Sequence, residues 1–202
     1  MEDLLSKVNV EIVGQVIESP VFVNNFNRTK VFRVSIAVKR LSGVVDTFYV
    51  NYTNELGVIV KKDDFVRVTG DIRTINKRDS DLVLEGYIFA KNLKVLSEDT
   101  SIENYDNDCV IENAYVHSFD ELRKSIDDDS RDIATYKIKL DRGHGRYSYF
   151  KVTSWDNDAR SIGNVKDTIK RVNLKCRLQS YVSKKSGRLY LCLVTYNLDL
   201  VE

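Results

Sequence analysis

The chain predicts an all-β protein built from two tandem five-stranded barrels, and three observations carry that expectation. First, a block running Phe65-Val-Arg-Val-Thr-Gly-Asp-Ile-Arg-Thr74, a basic turn and Leu82-Val-Leu-Glu-Gly-Tyr-Ile-Phe-Ala-Lys-Asn-Leu-Lys-Val-Leu96 returns as Arg171-Val-Asn-Leu-Lys-Cys-Arg-Leu-Gln-Ser180, a second basic turn and Arg188-Leu-Tyr-Leu-Cys-Leu-Val-Thr-Tyr-Asn-Leu-Asp-Leu-Val201. The offset is 106 residues at the first segment and 105 at Asn92 and Asn197, the length of a small domain rather than of a solenoid repeat. Second, the apolar residues alternate with polar ones in short runs, the period of half-buried strands. Third, no repeated strand-helix-strand alternation and no long loops accompany them, as a closed barrel would have it.

The elements follow in order. Val8–Ile17 alternates around Gly14, as a curving strand would, with the glycine permitting the bend. Val31–Lys39 and Val44–Tyr52 form strands two and three, joined at Ser42-Gly43. Asn54–Lys62 is short and fits a helical insert, and the two repeated strands close the unit around a turn at 75–81. Five strands with one short helix between the third and fourth is the element order of an OB-fold, a five-stranded Greek-key barrel. Ser97–Asp108 holds five acids and no base and reads as a linker, so the units are 1–96 and 109–202. In the second unit Cys109–His117, Ile133–Leu140 and Arg146–Trp155 are the first three strands, and Asp158–Lys166 fills the helix slot. Phe119, Leu122 and Ile126 after a Ser118 cap predict an additional short amphipathic helix over 118–130.

Composition excludes several classes. The 202 residues carry 31 basic and 30 acidic side chains, so no global attraction to polyanions exists. Net charge is nevertheless uneven, at +1 over residues 1–98, −7 over 99–131 and +7 over 132–202. Three cysteines without CxxC spacing suggest core thiols rather than a disulfide framework or a zinc site. With two histidines and no nucleophile motif or ligand cluster, neither catalysis, a metal nor a cofactor is expected. Gly143-His144-Gly145 sits between strands and reads as a turn, not a phosphate loop. The absence of a long apolar run and of a signal peptide predicts a soluble cytoplasmic protein with no membrane partner.

The element order, Ser154-Trp-Asp-Asn-Asp-Ala-Arg160 after a third strand, and the closing Val-x-Gly strand followed by Asn-Leu together resemble bacterial single-stranded DNA-binding proteins. More narrowly, the chain resembles the tandem-OB version of clostridial-type bacteria and their mobile elements, over roughly 8–96 and 109–201. Cys176 stands where that family usually has glycine. The chain also stops at Glu202, straight after the last strand, so recruitment of replication or repair proteins is not expected to use the family's acidic tail. By analogy with single-barrel relatives that assemble four barrels, a homodimer is expected.

The resemblance implies a sequence-tolerant coat on single-stranded DNA in replication, repair or transfer. Such sites combine aromatic faces for base stacking with a basic groove for phosphates. Tyr147 and Tyr149 share a face of the third strand, and Trp155 is expected to need a bulge or the strand's end to join them. Phe48 and Tyr52 are the candidates in the first unit, with Tyr49 pointing the other way. Taken singly, each aromatic would serve equally well in a core, and the case rests on their clustering. The hairpins supply charge: Lys39 and Arg40, Lys77 and Arg78, Arg142 and Arg146, and Lys184, Lys185 and Arg188. Two other readings use the same residues, an OB-fold adaptor that docks a replication or conjugation protein, and an RNA-binding protein.

Overall fold

A computed structural model describes residues 5–26, 28–77, 83–97, 107–126, 130–165 and 171–201, without the side chains of 26, 76, 77, 83 and 84. The strands are β1 (Lys7–Val16), β2 (Val21–Phe26), β3 (Thr29–Lys39), β4 (Val45–Thr53), β5 (Phe65–Lys77), β6 (Val83–Val95), β7 (Asp108–Lys124), β8 (Asp132–Asp141), β9 (Tyr147–Trp155), β10 (Arg171–Val182) and β11 (Leu189–Val201). The single described α-helix is α1 (Asp156–Asn164).

These strands close into two tandem OB-folds. In the first, β1 pairs with both β5 and β3, β3 with β4, β4 with β6 in parallel, and β6 with β5. The second repeats the circuit as β7, β10, β11, β9 and β8, again with its one parallel pair between β9 and β11. Closure gives each of the five barrel strands two neighbours and turns alternate side chains inward, while β2 pairs with β3 alone. Ile12, Ile36, Phe48, Ile72 and Ile88 fill the first interior, and Ile111, Tyr136, Ile138 and Leu174 the second. Gly14 lies where β1 passes from β5 to β3, and a Cβ there would stand 2.3 Å from the Ala37 carbonyl oxygen. The bend expected at Gly14 is thus a close backbone approach that admits no side chain.

The registers superpose the barrels residue by residue. Val50 opposite Ile88 matches Val152 opposite Leu193, and Val10 opposite Gly70 matches Cys109 opposite Cys176. The register shift between Thr69 and Gly70 recurs between Lys175 and Cys176, so the cysteine at the glycine position leaves the bulge in place. Cys109 and Cys176 are buried, and burial pushes both thiols up.

Three expectations change. The helix slot of the first unit holds only a 3-10 turn, Asn54–Leu56, because Gly57 (φ 65°) reverses the chain there and β-branched Val58, Ile59 and Val60 follow. The amphipathic helix expected over 118–130 is not formed in its described part: β7 continues to Lys124, hydrogen-bonded to β8 with irregularities at 116–118 and 119–121. Residues 127–129 lie outside the described set. β2 was not expected at all; it pairs with β3 as the second half of β7 pairs with β8.

The barrels join through antiparallel pairing of β1 with β7, from Lys7 opposite Glu112 to Glu11 opposite Asp108. Two further contacts flank this seam at equivalent positions of the two barrels, so that a pseudo-twofold relates them. On one side the Ser180 amide donates to Asp46 Oδ1 (2.7 Å) and the Thr47 amide to Ser180 Oγ (2.8 Å). On the other, the Thr74 amide donates to Ser148 Oγ (3.3 Å) and the Tyr149 amide to Thr74 Oγ1 (3.3 Å). No helix among the described residues is long and apolar enough to cross a membrane.

Candidate nucleic-acid interface

β9 pairs with β8 in unbroken register from Tyr147 opposite Asp141 to Trp155 opposite Ile133. Strict alternation follows: Ser148, Phe150, Val152 and Ser154 are buried, while Tyr147, Tyr149, Lys151, Thr153 and Trp155 face outward. Trp155 therefore joins the tyrosines without a bulge, since the six residues from Tyr149 are an even number of steps. At about 3.3 Å per residue the row from Tyr147 to Trp155 spans roughly 26 Å.

Neighbouring strands supply charge to this row. Lys139 Nζ lies 4.8 Å from the ring centres of both Tyr115 and Tyr147, and Arg171 stands 4.6 Å from the Tyr115 ring centre. His117 is exposed and meets Tyr149 edge to face at 5.1 Å. Lys137 and Lys151, opposite each other on β8 and β9, are exposed. Beside them Tyr181 and Tyr190 stack at 5.4 Å and line, with Tyr149, Lys137 and Lys151, a depression of about 250 Å³. Arg131 covers one face of Trp155 at 4.5 Å and is ion-paired with Asp156 at 2.9 Å. Cation-π contacts of this kind orient the rings while leaving an opposite face for a base.

The first barrel departs from expectation. Phe48 and Tyr52 are 1% and 5% exposed and belong to the core, so neither presents a face for stacking. They share parity with Val50, and the barrel takes that apolar set inward. Tyr49 points outward and meets Arg33 at 5.0 Å. The outer face here is instead built by Arg33, Arg73 and Phe89, with Arg73 stacked 3.7 Å over Phe89 and Tyr87, only 8% exposed, covered by Arg33 at 5.9 Å. Its arginines are neutralised, Arg33 by Glu85 and Arg73 by Asp71 at 2.7 Å. A groove of about 720 Å³ runs along it, lined by Val31, Ile75, Tyr87 and Phe89 and ending at Arg73, Lys91 and Arg146.

Of the expected hairpin cations, Arg40 is not free for a ligand. Its guanidinium grips Asp46 through two hydrogen bonds of 2.6 and 2.7 Å, and Asp46, fully buried, holds Ser180 of the other barrel. The β3–β4 turn folds back onto β10, and Arg40 belongs to that contact. Lys39, Lys184, Lys185 and Arg188 are exposed and lack an ion pair among the described residues. Arg142 and Arg146 flank the turn whose Gly143, His144 and Gly145 all have positive φ, which makes it the glycine turn expected. The Lys77 side chain and Arg78 lie outside the described residues. Sequence reading missed Tyr115, Lys137, Lys139, Arg73, Tyr87 and Phe89; strand parity relative to the apolar set is the signal that could have found them.

No family model matches the sequence, and no curated protein matches it. Solved structures do. The chain is similar to a deletion variant of the single-stranded DNA-binding protein from Thermus aquaticus, with a TM-score of 0.75 and 13% identity, covering 98% of this chain and 96% of that one. The wild-type Thermus aquaticus protein gives 0.72 and 13%, covering 98% and 94%. At this identity the shared feature is the fold, two OB barrels in one chain in the same arrangement.

Proposed function

We propose that the chain binds single-stranded DNA with little sequence preference, bases stacking on the outer face of β9 and phosphates held by the lysines beside it. The observation that carries this reading is the outward row Tyr147, Tyr149 and Trp155 interleaved with Lys137, Lys139 and Lys151. Aromatic faces alternating with cations suit a flexible strand whose bases can be splayed onto them. The Thermus aquaticus proteins of the same fold, which are described as single-stranded DNA-binding, support it. So does the resemblance to the tandem-OB form of clostridial-type bacteria and mobile elements, which would place the work in the cytoplasm, in replication, repair or transfer.

Two barrels occupy one unit each, 1–96 and 109–202 around the acidic 97–108 segment, and two chains would assemble four. Light scattering should then report twice the 23.3 kDa chain mass, and a single-chain mass would rule the dimer out. Binding is tested by anisotropy of a labelled ~30-nucleotide deoxythymidine oligomer across a salt series, where log Kobs should fall with log salt by about 0.7 per phosphate contact. Salt-independent or absent binding would refute the proposal. An equal-length uridine oligomer that competes better than the DNA would move the reading to RNA.

The adaptor reading keeps one specific support, the first barrel's groove. Arg73 there is already paired with Asp71, and apolar Val31, Ile75 and Phe89 lie beside polar Asn24, Asn51 and Thr53, a mixed lining that would also accept an extended protein segment.

A further inference from the structure

The pseudo-twofold that relates the barrels should create two equal clefts beside the β1–β7 seam, and it does not. Arg40 and Arg142 are equivalent residues, each opening the same turn: the Arg40 amide donates to the Val44 carbonyl at 2.8 Å, the Arg142 amide to the Arg146 carbonyl at 2.9 Å. Position 46, opposite Ser180, matches position 148, opposite Thr74. The first barrel has aspartate at that position and the second has serine. On the Asp46 side the aspartate neutralises Arg40 and ties the turn to β10, leaving a cleft of about 180 Å³. On the Ser148 side the serine hydroxyl satisfies the backbone contact but brings no charge. That cleft is about 720 Å³, with Arg73, Lys91, Arg142 and Arg146 facing only Asp71 and Asp141 among its acids.

Arg142 is the informative member. It is half-buried, and it has no ion pair among the described residues. Burial, and then the neighbouring Arg73, hold its guanidinium below the ordinary arginine range. Asp71 is already shared by Arg73 at 2.7 Å and Lys91 at 3.9 Å, and Asp141 accepts the Gly143 amide at 2.8 Å. A desolvated cation beside other cations costs free energy that an incoming anion recovers. Arg73, Lys91 and Arg146 also line the groove of the first barrel, so the cleft connects that groove with the turn that leads into Tyr147.

Resting on the reading of this chain as a single-stranded nucleic-acid binder, we propose that the phosphodiester backbone crosses between the barrels at the Ser148 cleft alone, with a phosphate held by Arg142 and its neighbours Lys91 and Arg146. The Asp46 cleft is closed to it by the Arg40 ion pair. The crossing is therefore one-sided, and one chain presents a single continuous path rather than two equivalent ones.

The test copies one cleft onto the other. Ser148→Asp gives Arg142 the carboxylate that Arg40 has, and Arg142→Ala removes the cation; each full-length variant is titrated with the ~30-nucleotide deoxythymidine oligomer across a salt series. Both should bind about tenfold more weakly, the magnitude of one charge-assisted hydrogen bond, with a salt slope shallower by about 0.7. Because Ser148 is buried, Lys91→Ala and Arg146→Ala serve as exposed variants of the same cleft, and a melting temperature at the wild-type value marks a folded variant. Wild-type binding with unchanged affinity and slope in the folded variants would overturn the one-sided crossing and leave the binding function standing. Failure of the wild-type protein itself to bind the oligomer would overturn both.

Discussion

Arg40→Ala should lower the unfolding free energy by about 3 kcal/mol, toward the lower end of the range for removing one partner of a buried ion pair. Asp46 is fully buried and Arg40's side chain is 27% exposed, so deleting the arginine leaves a carboxylate charge with no counterion in the contact between barrels. Water reaching the vacated space moderates the loss. Asp46→Asn removes the charge but keeps an amide oxygen for the Ser180 N–H, so its cost should be only about 1–2 kcal/mol, a hydrogen bond weakened rather than a charge stranded. Combining the two should cost less than Arg40→Ala alone. Urea midpoints at constant m-value measure all three, and an Arg40→Ala midpoint equal to wild type would show that the pair does not hold the barrels together.

The second large effect separates the interface from the core. Tyr149→Ala and Trp155→Ala should each weaken oligonucleotide binding by roughly 5- to 150-fold, the range of about 1–3 kcal/mol per stacked base, with little change in stability. Phe48→Ala should do the opposite. Its ring is buried among Ile36 and Val50 in the first barrel, and truncation should cost about 3–5 kcal/mol of stability. Any loss of binding by Phe48→Ala should track its unfolded fraction. Normal binding by both Tyr149→Ala and Trp155→Ala would remove the outer face of β9 from the account.

How far the fold was legible depends on which interactions are local. The duplication, the alternation of β1, β3, β4, β8 and β9 and the turns at Gly43 and Gly145 are local, and each appears where its residues place it. α1 was legible too, two residues earlier than expected, because Asp156 and Asp158 favour a helix N-terminus while Ala159 and Ile162 give it a buried side. The extension of β7 was not, since the three-residue spacing of Phe119 and Leu122 suits a helix, and only pairing with β8, with a register shift between Phe119 and Glu121, makes this stretch a strand. β2 has the same origin.

The site was half legible for related reasons. Alternation shows that β4 has two faces but not which one a barrel takes inward, and both carry an aromatic. The apolar run Phe48, Val50 and Tyr52 answers that question once the three are counted together. Trp155 needed only a count of even steps. The commitment of Arg40 to Asp46 was beyond local reading, because Asp46 is also held by the Ser180 amide, 134 residues away in the other barrel. The open cleft at Arg142 becomes visible only when the two sides of the seam are compared.

The most direct test of the account is the emission of the single tryptophan, Trp155, during titration with a ~30-nucleotide deoxythymidine oligomer at low and at moderate salt. Stacking of a base on its exposed side predicts saturable quenching at low salt and a steep weakening of the apparent affinity as salt rises. Binding seen by anisotropy with no change in Trp155 emission would contradict the placement of the strand on β9, and no binding at either salt would contradict the function.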